Sequence, residues 1–411
     1  MKALYLVCDG MADRPVKELG RRTPLQVART PNMDRLAREG ITGIMDPVAP
    51  GVPPGSDVAN MALLGYDPYE HYTGRGGLEA LGAGLELGPG DVAFRCNFAT
   101  VDEQGIVLDR RAGRISTEKA AILAEAIRDA LEEADLGVEV IFVNTVQHRG
   151  VLVLRGEGLS RAISDTDPKK NGRPMRKCVP LDDRPEARRT ADIVNRLSEL
   201  LRSVLAKHPL NKELKPPANA ILLRGAGTVP KLKPLPELYG IKAVAVSAVA
   251  LVKGVCRAAG MELIDVPGAT GSYDTDLDAK LSHAVEALRK GADLAFVHVK
   301  ATDIASHDHD AQKKIWMIER VDSALGKALE ALDLDNETYV LITADHTTSL
   351  RTGSHEGDPV PVVLAGPEAR TDDVRAFDEP SCARGGLCRL RGKDLMPVLM
   401  NLLGKVERFG F

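Results

Sequence analysis

Short apolar runs followed closely by acidic residues or histidines recur along this 411-residue chain, and they restrict its fold more than any other feature. Residues 3–8 (Ala-Leu-Tyr-Leu-Val-Cys) run without polar alternation into Asp9-Gly10. That pattern suits a strand buried on both faces, as in a parallel sheet. Residues 41–45, 242–246, 294–299, 339–343 and 360–364 also read as strands. Helical patterning fills intervals between them, at 31–39, 56–64, 276–289, 313–332 and 394–403. The alternation predicts an α/β fold: a mostly parallel sheet with helices on both faces.

The middle of the chain breaks this rhythm. Residues 92–101 and 106–109, joined across Glu103-Gln104-Gly105, read as one hairpin. Residues 138–146 and 150–155, joined at Gln147-His148-Arg149, read as another, with a helix over 116–133 between the two. This predicts an inserted α+β domain over 86–184, with 1–85 and 185–411 forming the core domain. The helix starting at Pro185 carries Ile193, Leu197, Leu200 and Val204 at the spacing of a face packed on a core. The Gly-rich stretch 74–84 has neither GxxxxGK[ST] nor GxGxxG spacing, so it reads as a hinge or a close helix contact. The loop over 165–170 is open to two readings, a flexible segment or a border of the active site.

Composition excludes several classes. Fifty-four Lys and Arg against 58 Asp and Glu give a formal charge of −4, which disfavours nucleic-acid and anionic-membrane partners. No apolar stretch reaches the roughly 18 residues of a membrane span, and the start reads as no signal peptide. The six Cys are scattered without a CxxC pair, which indicates reduced thiols in a cytoplasmic protein.

The chemistry gathers at strand ends. Asp9 follows the first run, Asp303 and His307 follow 294–299, Asp345-His346 follow 339–343, and His355 precedes 360–364. In an open parallel sheet the carboxyl ends of strands share the ligand-binding edge, so these residues converge. Asp303 and His307 are four apart and share a helix face. Carboxylate with imidazole suits Zn, Mn or Fe better than Ca, and three Asp with three His suffice for two neighbouring ions. Taken singly, an Asp at a strand end is usually a helix cap. Ser56, after Gly55, reads either as an ordinary N-cap or as a nucleophile activated by a metal beside an anion-binding helix terminus.

Asp9-Gly10, the segment 30–40 (Thr-Pro-Asn-Met-Asp-Arg-Leu-Ala-Arg-Glu-Gly), Asp303-x-x-x-His307, Ala344-Asp345-His346 and His355-x-x-x-Pro359-Val360-Pro361 resemble the alkaline phosphatase superfamily. Pro54-Gly55-Ser56-Asp57-Val58-Ala59-Asn60 and the length resemble, more narrowly, its archaeal-type 2,3-bisphosphoglycerate-independent phosphoglycerate mutases, over essentially the whole chain. The resemblance implies one metal held by Asp303, His307 and His355 and a second held by Asp9, Ser56, Asp345 and His346. Mn²⁺ is the expected ion, with Mg²⁺, Co²⁺ or Zn²⁺ as alternatives, and no 2,3-bisphosphoglycerate is expected.

It also implies a cytoplasmic isomerase of glycolysis and gluconeogenesis that passes the phosphoryl group of 3-phosphoglycerate through a phosphoserine at Ser56 to give 2-phosphoglycerate. The inserted domain would enclose the substrate. Bidentate guanidinium groups suit both substrate charges, which marks Arg111, Arg114, His148, Arg149, Arg224 and Lys253 as candidate contacts. The expected partner is this small molecule, with no nucleic acid or membrane; a homo-oligomer is compatible. The rival readings are a metal-dependent phosphomonoester hydrolase, a phosphopentomutase and a non-catalytic metal- or phosphoglycerate-binding protein. The sulfatase branch is disfavoured, since no Cys/Ser-x-Pro-x-Arg occurs at Ser56.

Overall fold

The N-terminal apolar run becomes the strand Lys2–Cys8, buried at every residue after Lys2, in the interior of an eight-stranded sheet. The computed structural model of the protein describes residues 1–410. It divides into one unit made of Met1–Tyr72 with the chain from Lys231 onward, and a second unit, Thr73–Pro230.

The sheet of the first unit runs Glu262–Leu263, Ala243–Val246, Leu294–Val299, Lys2–Cys8, Thr338–Thr343, Val360–Ala365, Ile41–Asp46, Cys388–Arg391 from edge to edge. All neighbours pair in parallel except the two pairs made by Val360–Ala365. The sheet is therefore mostly parallel, as expected. The reversed strand has a consequence for the site. Its beginning, not its end, lies beside the carboxyl end of Thr338–Thr343, with Thr343 opposite Val362. Helix Leu277–Arg289 packs on Leu294–Val299, and helix Pro31–Glu39 on Val360–Ala365. No helix among the described residues is long and apolar enough to cross a membrane, and the six cysteines are free.

The second unit is antiparallel. Val92–Val101 pairs with Arg149–Arg155, Ile106–Asp109 and Ala220–Gly227, and Glu139–Asn144 closes one edge. The core of this unit contains Phe94, Phe98, Phe142, Ile127 and Leu197. Its limits differ from the expected 86–184. Helix Arg75–Gly82 packs on Val92–Val101 before position 86, and after position 184 helix Pro185–Lys207 and strand Ala220–Gly227 still belong to it. The stripe buried along Pro185–Lys207 is Ile193, Leu197, Leu201 and Leu205, so Leu200 and Val204 sit at its margin. The Gly-rich stretch is a close contact: a Cβ on Gly76 would lie 2.0 Å from the Ala93 carbonyl oxygen.

Candidate active site

Six Asp and His side chains singled out at strand ends converge on one edge of the first unit's sheet. Asp9 follows Lys2–Cys8, Asp303 and His307 lie on helix Ala301–His307, Asp345 and His346 follow Thr338–Thr343, and His355 lies in the short strand Ser354–Glu356. His355 reaches this edge because the strand after it is antiparallel. Gly10 makes the first turn possible. It has φ +61°, and a Cβ there would fall 2.4 Å from Thr348 Oγ1 and 2.7 Å from Asp303 Oδ1. Its N–H donates to Asp345 Oδ1 at 3.0 Å.

Two donor groups form. Asp9, Asp345 and His346 bring one ligand atom each within 4.8 Å of one another, and so do Asp303, His346 and His355. The second differs from the expected set, since His346 stands where His307 was expected. His307 Nε2 lies 3.1 Å from Asp303 Oδ2, while its Nδ1 is 2.7 Å from the Gly353 carbonyl oxygen. The His346 and His355 rings stack with centroids 3.6 Å apart.

Ser56 is the first residue of helix Ser56–Leu63 rather than its cap. Gly55 is the cap, and no side chain bonds there, so the ordinary N-cap reading of Ser56 does not hold. Ser56 Oγ instead lies 3.2 Å from His346 Nε2. One turn on, Asn60 Nδ2 donates to the Ser56 carbonyl at 2.8 Å and to Asp345 Oδ2 at 3.0 Å.

Asp9, Asp303 and Asp345 are fully buried close together, and their charge is only partly met. Lys300 Nζ sits 3.2 Å from Asp9 Oδ1 and 2.5 Å from Asp303 Oδ2. Burial opposes ionisation of Asp303, but the His307 bond and Lys300 outweigh it and hold the group below the usual carboxylate range. Asp345 is pushed up to about 7 by burial and then by Asp9. His298 Nε2 is 3.0 Å from Asp9 Oδ2 without hydrogen-bond alignment, so both buried ring nitrogens lack a partner. A buried set of carboxylates and imidazoles short of positive charge fits divalent cations.

The second unit has the opposite shortage. His148 is buried, and burial followed by Arg149, Arg111, Arg95 and Arg114 holds it down to about 4. Arg95 is pressed down to about 9 by burial and then by Arg75 and Arg224. Glu79 lies 3.0 Å from Arg75 and 3.7 Å from Arg95, and Asp167 takes a bidentate bond from Arg110 and lies 3.6 Å from Arg224. Arg224 Nε is buried without a partner. Five expected contacts (Arg111, Arg114, His148, Arg149 and Arg224) thus share one anion-deficient cluster. Lys253 does not join them. It belongs to the first unit, 3.4 Å from Asp265, on a cavity of about 390 Å³ lined also by Ser247 and Thr270.

Sequence reasoning missed Lys300, Asn60, His298, Thr348, Arg75 and Arg95. Two signals were present: Lys300 directly follows a buried strand, three residues before Asp303, and Asn60 lies one helical turn after Ser56. Residues 37–211 match the family described as 2,3-bisphosphoglycerate-independent phosphoglycerate mutase, and residues 269–377 the family described as alkaline phosphatase. A 2,3-bisphosphoglycerate-independent phosphoglycerate mutase of Methanopyrus kandleri is 50% identical over 418 residues, covering 100% of this chain and 98% of the relative. Another, of Methanothermobacter thermautotrophicus, is 47% identical over 414 residues, covering all of both chains. The solved cofactor-independent phosphoglycerate mutase of Thermoplasma acidophilum superposes with a TM-score of 0.71 at 37% identity, covering 98% of this chain and 100% of that one.

Proposed function

The chain belongs to the 2,3-bisphosphoglycerate-independent phosphoglycerate mutases, and we propose that its interconversion of 3-phosphoglycerate and 2-phosphoglycerate runs through a phosphoserine at Ser56. The observation that carries this reading is the Ser56 hydroxyl, released from capping by Gly55 and 3.2 Å from Nε2 of His346, the residue that the two donor groups share. Asp9, Asp345 and His346 would hold one divalent ion, and Asp303, His355 and His346 or His307 a second, with Mn²⁺ the expected species. Bound there, the ions would lower the hydroxyl's pKa and offset phosphoryl charge.

The chain's own residues do the rest. Ser56 Oγ gives up its proton and bonds to phosphorus as the bond to the 3-oxygen of glycerate breaks, and that oxygen takes up a proton. The free N–H groups of helix Ser56–Leu63 face the phosphoryl oxygens. In the second half the 2-hydroxyl of the same glycerate loses its proton and bonds to phosphorus, the bond from phosphorus to Ser56 Oγ breaks, and the serine hydroxyl regains its proton. The guanidiniums around His148 would bind the substrate's anionic groups; the basicity of Arg95, Arg149 and Arg224 is lowered, first by burial, which an anion beside them would offset. We place the reaction in the cytoplasm, in keeping with six free thiols. Following 3-phosphoglycerate by ³¹P NMR in the presence of Mn²⁺ tests the reading. The 2-phosphoglycerate signal should grow without added 2,3-bisphosphoglycerate, whereas inorganic phosphate as the main product would establish a hydrolase.

A further inference from the structure

A buried polar network outside the donor groups reaches the site through Lys314, in helix Ala311–Glu330. Lys314 has no exposed surface. Its Nζ donates to the Ala12 carbonyl at 3.2 Å, to Asp13 Oδ2 at 2.9 Å and to the Thr348 carbonyl at 3.0 Å. An ammonium has three donors, so the set is saturated. Asp13 is its countercharge and is itself fixed: Oδ2 accepts from Leu350 N at 3.1 Å, and its N–H donates to Glu379 Oε1 at 3.0 Å.

The two carbonyls belong to different segments. Ala12 continues the turn after Asp9, and Thr348 lies on the strand Thr347–Ser349, its N–H donating to Ala12 O at 3.1 Å. The Thr348 hydroxyl contacts both donor groups. It donates to Asp303 Oδ1 at 2.7 Å and lies 3.0 Å from His346 Nδ1. An ionised carboxylate only accepts, so the hydroxyl hydrogen is committed to Asp303, and Oγ1 must accept from His346 Nδ1–H. That assignment leaves His346 Nε2 unprotonated, free as a ligand and facing Ser56.

We propose that Lys314 is a positioning residue: by pinning Thr348 to the Asp9 turn it holds the hydroxyl that fixes the Asp303 carboxylate and the tautomer of His346. Stability alone does not call for an ion pair here, because replacing both members of a buried pair by apolar side chains is often neutral or stabilising, whereas removing one of them is not. The inference rests on the metal reading above, and its test separates the two.

Mn²⁺ uptake, read from the electron paramagnetic resonance of the free ion, is compared across variants of the full chain, alongside urea unfolding in chelator. Lys314→Met and Thr348→Val should each weaken Mn²⁺ binding by about tenfold or more, the range for residues that orient metal ligands. Thr348→Ser, which keeps the hydroxyl, should bind as the parent does. The double variant Lys314→Met/Thr348→Val should bind no more weakly than the poorer single, since both act through one hydroxyl. Asp13→Asn keeps the shape of the lysine's partner without its charge; it should also lose affinity, and it serves if Lys314→Met does not fold. Leu197→Ala, in the core of the second unit, should lower stability and leave Mn²⁺ affinity alone. Parent-like affinity in folded Lys314→Met, or in Asp13→Asn where the former does not fold, would overturn the role of Lys314. So would losses that multiply in the double variant. No Mn²⁺ uptake by the parent would overturn the metal reading itself, and this inference with it.

Discussion

Ser56 is available for chemistry because Gly55, in an extended conformation, takes the cap position and leaves the hydroxyl unspent. If that hydroxyl is the nucleophile, Ser56→Ala keeps every carboxylate, imidazole and guanidinium while losing the bond-forming atom. Turnover should fall by at least about a thousandfold, while calorimetric binding of 3-phosphoglycerate stays within about twofold. A parent-like kcat would remove Ser56 from the mechanism. His148 supports a second expectation at this scale. Its basicity is pulled from 6.5 down to about 4, by burial first and then by the surrounding arginines. Between those values the unfolded chain binds a proton that the folded chain refuses, so stability is lost as pH falls through that window. His148→Gln should remove up to about 3 kcal/mol of that dependence. Urea midpoints of parent and variant at pH 7 and pH 4.5 check it, and parallel pH trends would contradict the assignment.

Among the elements, the reversed strand Val360–Ala365 shows what sequence does and does not carry. Its apolar run was legible as a strand because a strand buried on both faces reads as an unbroken run. Its direction was not legible, since pairing sense is decided by neighbours and not by composition. Helix Pro185–Lys207 is a similar case: its apolar spacing announces a core but not which one, so the inserted unit extends to Pro230 rather than 184. At the site, Asp and His stood out by type and by position after strands. Thr348 did not, because only its burial and its bond to Asp303 distinguish it from an ordinary surface residue, and Lys300 showed only in its place after a strand and three residues before Asp303. The Gly-rich stretch offers a test of helix contact. Gly76→Ala puts a methyl 2.0 Å from the Ala93 carbonyl oxygen, so helix Arg75–Gly82 must retreat from its strand. Overpacking of this kind costs about 1 to 3 kcal/mol, visible as a lowered urea midpoint. An unchanged midpoint would mean that the helix contact is not tight.

For the whole molecule, a formal charge of −4 conceals two local imbalances, buried carboxylates in one unit and crowded guanidiniums in the other. On the proposed reading both serve a phosphorylated acid: cations held by the carboxylates would stabilise the phosphoryl group in flight, and the guanidiniums would meet its anionic groups. A hydrolase would have the same needs. If Ser56 is the nucleophile, the distinction lies in the fate of the alcohol after the first transfer, because a mutase must return the phosphoryl group to the glycerate it came from. ³²P-labelled 3-phosphoglycerate of ordinary carbon, incubated with excess ¹³C-glycerate, separates the outcomes. Retention of the alcohol predicts labelled 2-phosphoglycerate with the light carbon skeleton, resolved by mass spectrometry, and negligible label on heavy carbon. Label on the heavy skeleton would mean that glycerate escapes before the second transfer and that the protein does not hold it. Label in inorganic phosphate would mean that water reaches the phosphoserine first. With Ser56→Ala as the control, any label transfer that survives the loss of the hydroxyl must come from chemistry other than a phosphoserine.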